Sequence, residues 1–345
     1  MDGVWDDFPA LGSGGCWMII VILILLSSLK EITSATPSPV TPVSPSRHLL
    51  AGEQEYFVTV TSLVTGLSNP SGVSISPDGL YALVTNANNH LISHIVISTA
   101  SVTTLAGVAS SSGSTDGIGT MARFNSPIGI SISPDGVYAL VSDMNNQLIR
   151  HIIISTASVT TLAGFAGSVG SANGIGTNAR FNNAHGISFS PDGVFALVAG
   201  HNDQQIRQII ISTASVTTLA GSSWGSHNGI GTNSRFKNPR GICISSDGAY
   251  ALVADSYNDQ IRRIILSNAS VTAVAGVAGV FGSTDGLGSN SNFYKPFGIS
   301  ISPDGVYALV SDSWNHLIRR IVISTGLVTT VAGVAGSTGA ANVLE

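Results

Sequence analysis

Aspartates, arginines and histidines recur along this chain at matching places, so each can be read as chemistry or as scaffold. Asp143, Asp255 and Asp312 fill one such place, with Asn86 and Gly200 in the same place elsewhere. A ring of carboxylates would hold a cation, but two members are missing. Aspartate in a polar turn caps backbone amides, and capping is the expected role. Arg150, Arg207, Arg262 and Arg319 recur within an apolar run, with Ser93 in the first copy; hydrogen bonding from one unit to its neighbour is expected of them. His90, His94, His151 and His316 fall in separate copies without close ligand spacing, so no metal site is expected. Between Tyr56 and Leu344 there is no glutamate, which leaves few groups for a general acid/base pair. Cys16 and Cys243 are the only cysteines. They give no disulfide framework and no thiolate metal site. Cys243 stands where other copies have Ser74, Ser131 and Ser188 and is expected to be a small buried side chain. No cofactor is expected.

These residues are positioned by a block that returns five times. Its anchor, Ser-Pro-Asp-Gly, places Asp78, Asp135, Asp192, Asp247 and Asp304 at spacings of 57, 57, 55 and 57, with Ser246 replacing the proline once. A period of that size means stacked supersecondary units. In the second copy, Pro127 to Ile132 alternates as a strand. Ser133 to Gly136 is a turn, in which proline presets φ, aspartate caps and glycine takes positive φ. Tyr138 to Ser142, Leu148 to Ile154 and Val159 to Ala163 are three further strands rich in β-branched residues. A loop of about 20 residues then leads onward. Four strands joined by three tight turns describe a propeller blade. The fold expected is all-β, a β-propeller of four-stranded blades. Complete units are counted at about 68–107, 125–164, 182–221, 238–276 and 295–333. Val58 to Gly66 resembles one more fourth strand. The favoured reading is five blades with that strand helping closure; the alternative is an incomplete six-bladed ring.

The turn between the second and third strands reads Asn89-His90-Leu91 in the first copy and Asn315-His316-Leu317 in the fifth. Asn146-Gln147-Leu148, Asp203-Gln204-Gln205 and Asn258-Asp259-Gln260 stand between them. With Gly-Ile-x-Ile-Ser-Pro-Asp-Gly before it and Val-Thr-Thr-Leu-Ala-Gly closing the unit, the chain resembles the NHL-repeat family over residues 57 to 335. The resemblance implies a β-propeller, commonly of six blades. It implies no single activity, because the family includes RNA binders, protein-interaction modules, sensor domains and a few lyase-type enzymes.

Strand alternation puts the long loops and the Asn-His-Leu turns on one face and the almost invariant Ser-Pro-Asp-Gly turns on the other. Binding residues are therefore expected on the first face, where the copies differ. Trp224, His227, Lys237, Arg240, Tyr257, Tyr294, Lys295 and Trp314 break the repeat there, and exposed aromatics with cations suit an interaction surface. The phenylalanines of Arg123-Phe124, Arg180-Phe181 and Arg235-Phe236, together with Phe293, are expected to fill the gaps between blades.

The first residues differ from the rest. Residues 1–35 carry an apolar run from Trp17 to Leu26, and no charge occurs from Phe8 to Leu29. The segment is expected to form a hydrophobic helix, either a cleaved signal or an anchor crossing the membrane through residues 16–29. Residues 36–55 are a Pro/Ser/Thr-rich linker, an extended stalk; residues 56–345 are the propeller. Asn268-Ala269-Ser270 is a glycosylation sequon. These features point to a membrane-anchored or secreted protein. Charged residues are only 10%, well below the usual quarter. Of 14 basic and 19 acidic residues, Lys30, Arg47, Asp2, Asp6, Asp7 and Glu31 precede Ala51, which leaves 12 against 15. A net-negative propeller lacks the electrostatic term of nucleic-acid binding. The favoured function is a non-catalytic module binding a protein or glycan partner. The alternative, implied by the resemblance, is a lyase- or lactonase-type enzyme with a metal in the central channel.

Overall fold

A computed structural model of the protein describes residues 62–337. The hydrophobic segment 1–35 and the linker 36–55 lie outside the described residues. Within them the chain is an all-β propeller of five blades. The four main strands of each blade run from the channel outward in sequence order. Blade 1 is Pro70–Ile75, Tyr81–Asn86, Leu91–Val96 and Ser101–Gly107. Blade 2 is Pro127–Ile132, Tyr138–Asp143, Leu148–Ile153 and Ser158–Gly164. Blade 3 is Ala184–Phe189, Phe195–Gly200, Gln205–Ile210 and Ser215–Ala220, and blade 4 is Pro239–Ile244, Tyr250–Asp255, Gln260–Ile265 and Ser270–Ala275. Blade 5 is Pro296–Ile301, Tyr307–Asp312, Leu317–Val322 and Leu327–Ala332. The Ser-Pro-Asp-Gly turn behaves as its residues dictate. Ser133 Oγ accepts from Tyr138 N at 3.1 Å, Asp135 Oδ1 accepts from Val137 N at 3.0 Å, and Gly136 takes φ +71°.

Blades 2 to 5 each carry a fifth, two-residue strand that four-stranded counting misses. Gly117–Ile118, Gly174–Ile175, Gly229–Ile230 and Gly286–Leu287 come from the long loops and pair with the outermost strand of the blade that follows. They cover an otherwise open edge. Among the described residues no such strand covers blade 1. Its outer strand is exposed along most of its length, and Val102 is 39% exposed where Val159 is 1%.

Four seams, from blade 1/2 to blade 4/5, are built alike. Phe124, Phe181, Phe236 and Phe293 are fully buried between blades; burying each contributes about 1.5–3 kcal/mol. The middle residue of the Asn-His-Leu turn, held at φ near +60°, accepts a backbone N–H from the next blade. His90 Nδ1 takes Ser126 N at 3.1 Å, Gln147 Oε1 takes Asn183 N at 2.8 Å, Gln204 Oε1 takes Asn238 N at 2.6 Å, and Asp259 Oδ1 takes Lys295 N at 2.9 Å. Inner-strand Ser74, Ser131 and Ser188 accept from Ile132, Phe189 and Ile244, and Cys243 Sγ accepts from Ile301 N at 3.5 Å. The cysteine thus holds a seam in serine's place.

The seam from blade 5 to blade 1 lacks these features among the described residues: no equivalent bond reaches His316 or Ser300. Leu309, Ile318 and Ala332 cluster with Tyr307 and Val331 of their own blade alone. Residues 62–66 of the expected extra strand are not in a strand, and Val58 to Thr61 lie outside the described residues.

Candidate functional site

The repeated carboxylates and guanidiniums are scaffold. Asp143 Oδ1 accepts from Asn125 N at 2.7 Å, the expected cap. Its Oδ2 accepts from Asn146 at 2.8 Å and from Arg150 Nη1 at 2.9 Å. Asp255 and Asp312 repeat the arrangement with Arg262 and Arg319. Burial is the main influence on Asp143, Asp255 and Asp312 and lifts each carboxyl to about 6 against the pull of its arginine. The arginines do not bridge blades as expected. Arg150 bonds the Arg123 and Thr115 carbonyls and Asp116, all in the loop leading into its own blade, and stacks 5.1 Å over Phe124. The reason is reach: a fully buried side chain in the third strand meets the loop folded over its own blade. Blade 1, which has no such loop among the described residues, has Ser93 there, bonded to Asn86 at 2.7 Å.

Blade 3 departs more subtly. Gly200 replaces the aspartate, and a β-carbon there would sit 1.8 Å from Asp203 Oδ1. Asp203 occupies the vacated space from the asparagine position and faces Arg207 at 3.6 Å, too long for a hydrogen bond. The charge pair survives with its members rearranged.

The variable face is where the rings and cations gather. Tyr257 N donates to the Lys237 carbonyl, and Trp314 N donates to the Tyr294 carbonyl. The turns are thereby tied to the ends of the long loops on one face. A chain of side chains runs inward from the rim. Phe281 stacks on Tyr294 at 4.8 Å, and Tyr294 lies 5.1 Å from Trp314. Lys295 Nζ sits 4.0 Å from the Trp314 ring and 4.3 Å from Tyr257, a cation between two faces. Arg240 lies 5.8 Å from Tyr257 and 4.9 Å from Phe297. His185 stacks on His201 at 4.5 Å. Burial, with the charges of His201 and Arg240 beside it, holds His185 well below the ordinary imidazole range.

Of the residues singled out by sequence, Arg240, Tyr257, Tyr294, Lys295 and Trp314 come together. Trp224 and Lys237 form a separate pair at 5.8 Å. His227 is exposed, and its carbonyl serves Arg262 and Arg235. Asn268 is exposed in its turn, its side chain accepting from Ser270 N at 3.0 Å.

Sequence reasoning missed Phe165, Phe281, His185, His201 and Phe297. Phe281 shares a loop position with Val169 and Trp224, and all three are about two-thirds exposed at 65%, 60% and 64%. That shared position was the available signal. Phe297 and His185 are placed by something the repeat hides. In every blade the inner strand is irregular between its first and fourth residues, a bulge that re-aims a side chain. The re-aimed residues are Ser71, Ile128, His185, Arg240 and Phe297, different in each copy. Beneath them all five inner strands line a central cavity of about 110 Å3. Among the described residues no carboxylate lines it, and no three His, Cys, Asp or Glu side chains come together. A channel metal held by carboxylates does not fit these residues.

No family model matches the chain. It is 26% identical over 250 residues to NHL repeat-containing protein 2 of Bos taurus, covering 64% of this chain and 34% of that one. The Homo sapiens protein of that name is 23% identical over 294 residues, with 76% and 40% covered. The chloroplastic protein SUPPRESSOR OF QUENCHING 1 of Arabidopsis thaliana is 27% identical over 238 residues, with 66% and 22% covered. The chain thus spans well under half the length of these curated relatives. Among solved structures it resembles an auxiliary nutrient binding protein of Bacteroides thetaiotaomicron (TM-score 0.60, 17% identity, 79% of this chain and 61% of that one). It also resembles a chain of a nidogen/laminin complex (TM-score 0.53, 12% identity, 75% and 77%). At these identities the structures share the fold.

Proposed function

We propose that this chain, an NHL-repeat β-propeller, is a non-catalytic binding module that takes a protein or glycan partner on its variable face, at the membrane or outside the cell. One observation carries the reading. Exposed Trp224 and Phe281 stand on the same face as the Tyr294–Trp314–Lys295–Tyr257 stack. Large rings offer much contact area at little entropic cost and dominate binding energy at interfaces. The named neighbours that bind nutrients or assemble with laminin suit a binding role. The enzyme alternative draws no support from the channel lining. The location rests on the apolar run within residues 1–35 and the stalk after it.

The test is capture from cell-surface extracts by the intact chain. A combined Trp224→Ala, Phe281→Ala, Trp314→Ala protein is expected to lose the captured partner while keeping its melting temperature. Val137→Asp with Val194→Asp, on the opposite face, is expected to keep it. The reverse pattern overturns the choice of face. Mass spectrometry of the mature N-terminus distinguishes a retained anchor from a cleaved signal; a cytosolic chain with an intact N-terminus refutes the location.

A further inference from the structure

The two faces of the propeller differ in charge. The five tight-turn aspartates, Asp78, Asp135, Asp192, Asp247 and Asp304, are all exposed. On the variable side the aspartates are spent. Six of them pair with the four buried arginines. Asp259 is buried and takes Lys295 N. Four cations at the ends of the long loops, Arg123, Arg180, Arg235 and Lys237, enter no ion pair among the described residues. A strand joining the faces, such as Tyr138–Asp143, has six residues and spans about 20 Å. Exposed charges are screened beyond about 8 Å in physiological salt. The tight-turn acids therefore do not cancel the field of the variable face.

These cations are held in place. Arg123, Arg180 and Arg235 fill one loop position in three successive seams. Gly113, Gly170 and Gly225 lie under their stems, where a β-carbon would come within 3.0, 3.1 and 3.0 Å of the arginine side chain. Arg123 Nη1 donates to the Thr120 and Ala122 carbonyls. Arg180 Nη1 donates to the Thr177 and Ala179 carbonyls at 2.7 and 2.8 Å. Each guanidinium so pinned presents Nε and Nη2, an edge that takes a carboxylate in two-pronged fashion. Two cations adjoin exposed rings. Arg180 lies 5.2 Å from Phe165 and Lys237 lies 5.8 Å from Trp224, and these rings are 55% and 64% exposed.

Spacing narrows the partner. Neighbouring blades are packed sheets, so equivalent arginines stand about 10 Å or more apart. An extended acidic peptide carries a side chain about every 3.3 Å, and a nucleic-acid strand a phosphate about every 3.4 Å. Most of those anions would find no cation here. A polysaccharide with a uronic acid at alternate sugars spreads its carboxylates more widely. The neutral sugars between them offer flat C–H faces to aromatic rings. We infer that the variable face binds a sparsely carboxylated polysaccharide of this kind, its carboxylates on Arg123, Arg180, Arg235 and Lys237 and its sugar faces on Phe165 and Trp224. This rests on the reading of the variable face as the binding surface and names the partner it takes.

Hyaluronan oligosaccharides are the probe, titrated into the full chain by calorimetry, with dextran, polyglutamate and a single-stranded oligonucleotide as controls. Binding should saturate and should weaken about tenfold or more between roughly 50 and 200 mM salt. Each control should bind about tenfold more weakly or worse. Combining Arg123→Gln, Arg180→Gln, Arg235→Gln and Lys237→Gln should lower hyaluronan affinity about tenfold or more at an unchanged melting temperature. Arg263→Gln with Arg320→Gln, the same kind of change outside the loops, should keep it. In wild-type protein, no saturable binding of hyaluronan, or equal affinity for any control, overturns the inference whether or not the variants fold. Undiminished binding by a folded quadruple variant overturns it too. A chain that ignores hyaluronan yet loses its captured partner through Trp224→Ala, Phe281→Ala and Trp314→Ala refutes this partner and keeps the face. Hyaluronan binding that survives the quadruple change but not Val137→Asp with Val194→Asp refutes the face as well.

Discussion

Exchanging two side chains in blade 3 should restore the arrangement its neighbours use. Arg207 is fully buried and its only carboxylate among the described residues is Asp203, 3.6 Å away; in blades 2, 4 and 5 the corresponding distance is 2.9 Å. Asp203→Asn alone leaves a buried guanidinium without a counter-charge, which costs about 3–5 kcal/mol. Gly200→Asp alone drives a side chain into the 1.8 Å gap before Asp203 Oδ1 and confines two carboxylates beside one arginine, a penalty of the same order. The double variant recreates the pattern of Asp143, Asn146 and Arg150. Gly200 does not have the positive φ that would strain a side chain. The double variant should therefore match or exceed wild type, with a coupling energy of about 3 kcal/mol or more. Each single variant should melt on the order of 10 °C lower, at 2–4 °C per kcal/mol. Calorimetric melting of the four proteins closes the cycle. A double variant no more stable than Asp203→Asn would refute the idea that the two positions share one charge site.

Two other predictions follow from the seams and the turns. Gly129→Ala should destabilise by more than about 2 kcal/mol or prevent folding, because its β-carbon would lie 2.1 Å from the His185 carbonyl oxygen of the next blade. Gly298→Ala should be mild, because at the same position of blade 5 it meets, among the described residues, only Ser311 Oγ at 3.0 Å; equal melting temperatures for the two variants would show that the seams are alike after all. The aspartates of the tight turns, Asp78, Asp135, Asp192, Asp247 and Asp304, are held below 3.8 first by their serine hydroxyls and then by backbone N–H groups. Depressed carboxylates add stability above the unfolded value and lose it as pH falls through the folded one. Asp143, Asp203, Asp255 and Asp312, lifted to about 6 by burial, act oppositely: their contribution is complete below 3.8 and lost as pH rises through 6. Burial holds His185, His90 and His151 below 6.5, so their contribution is lost as pH falls through that value and opposes the gain from the buried aspartates; melting temperature should therefore change little from pH 7 to about 4 and drop below it. A steady decline from pH 7 would contradict this.

Blades, turns, faces and the four plugging phenylalanines were legible in the sequence because each depends on residues close along the chain. Strand alternation and turn residues act over a few positions, and repetition made them unmistakable. The capping aspartates were legible for the same reason. Blade 1 shows how far the reading could have gone. Its Asn86 and Ser93 stand where the other blades have residues that meet their loops, and the link appears only when Arg150 is seen bonded to the loop of blade 2.

The tertiary structure alone decided what lies side by side across 55 or 57 residues. Bulges set Ser71, Ile128, Arg240 and Phe297 along the central cavity, with His185 at the same strand position in blade 3; an irregular register leaves no mark in an alternating pattern. Packing brought Lys295 between Tyr257 and Trp314 and moved the Asp203 carboxylate into the space of Gly200. It also left the blade 5/1 seam without the bonds that join the others. Sequence determined the blade because a blade is local chemistry. The cavity, the ring around it and the seam are set by distances between blades, which only the folded chain fixes.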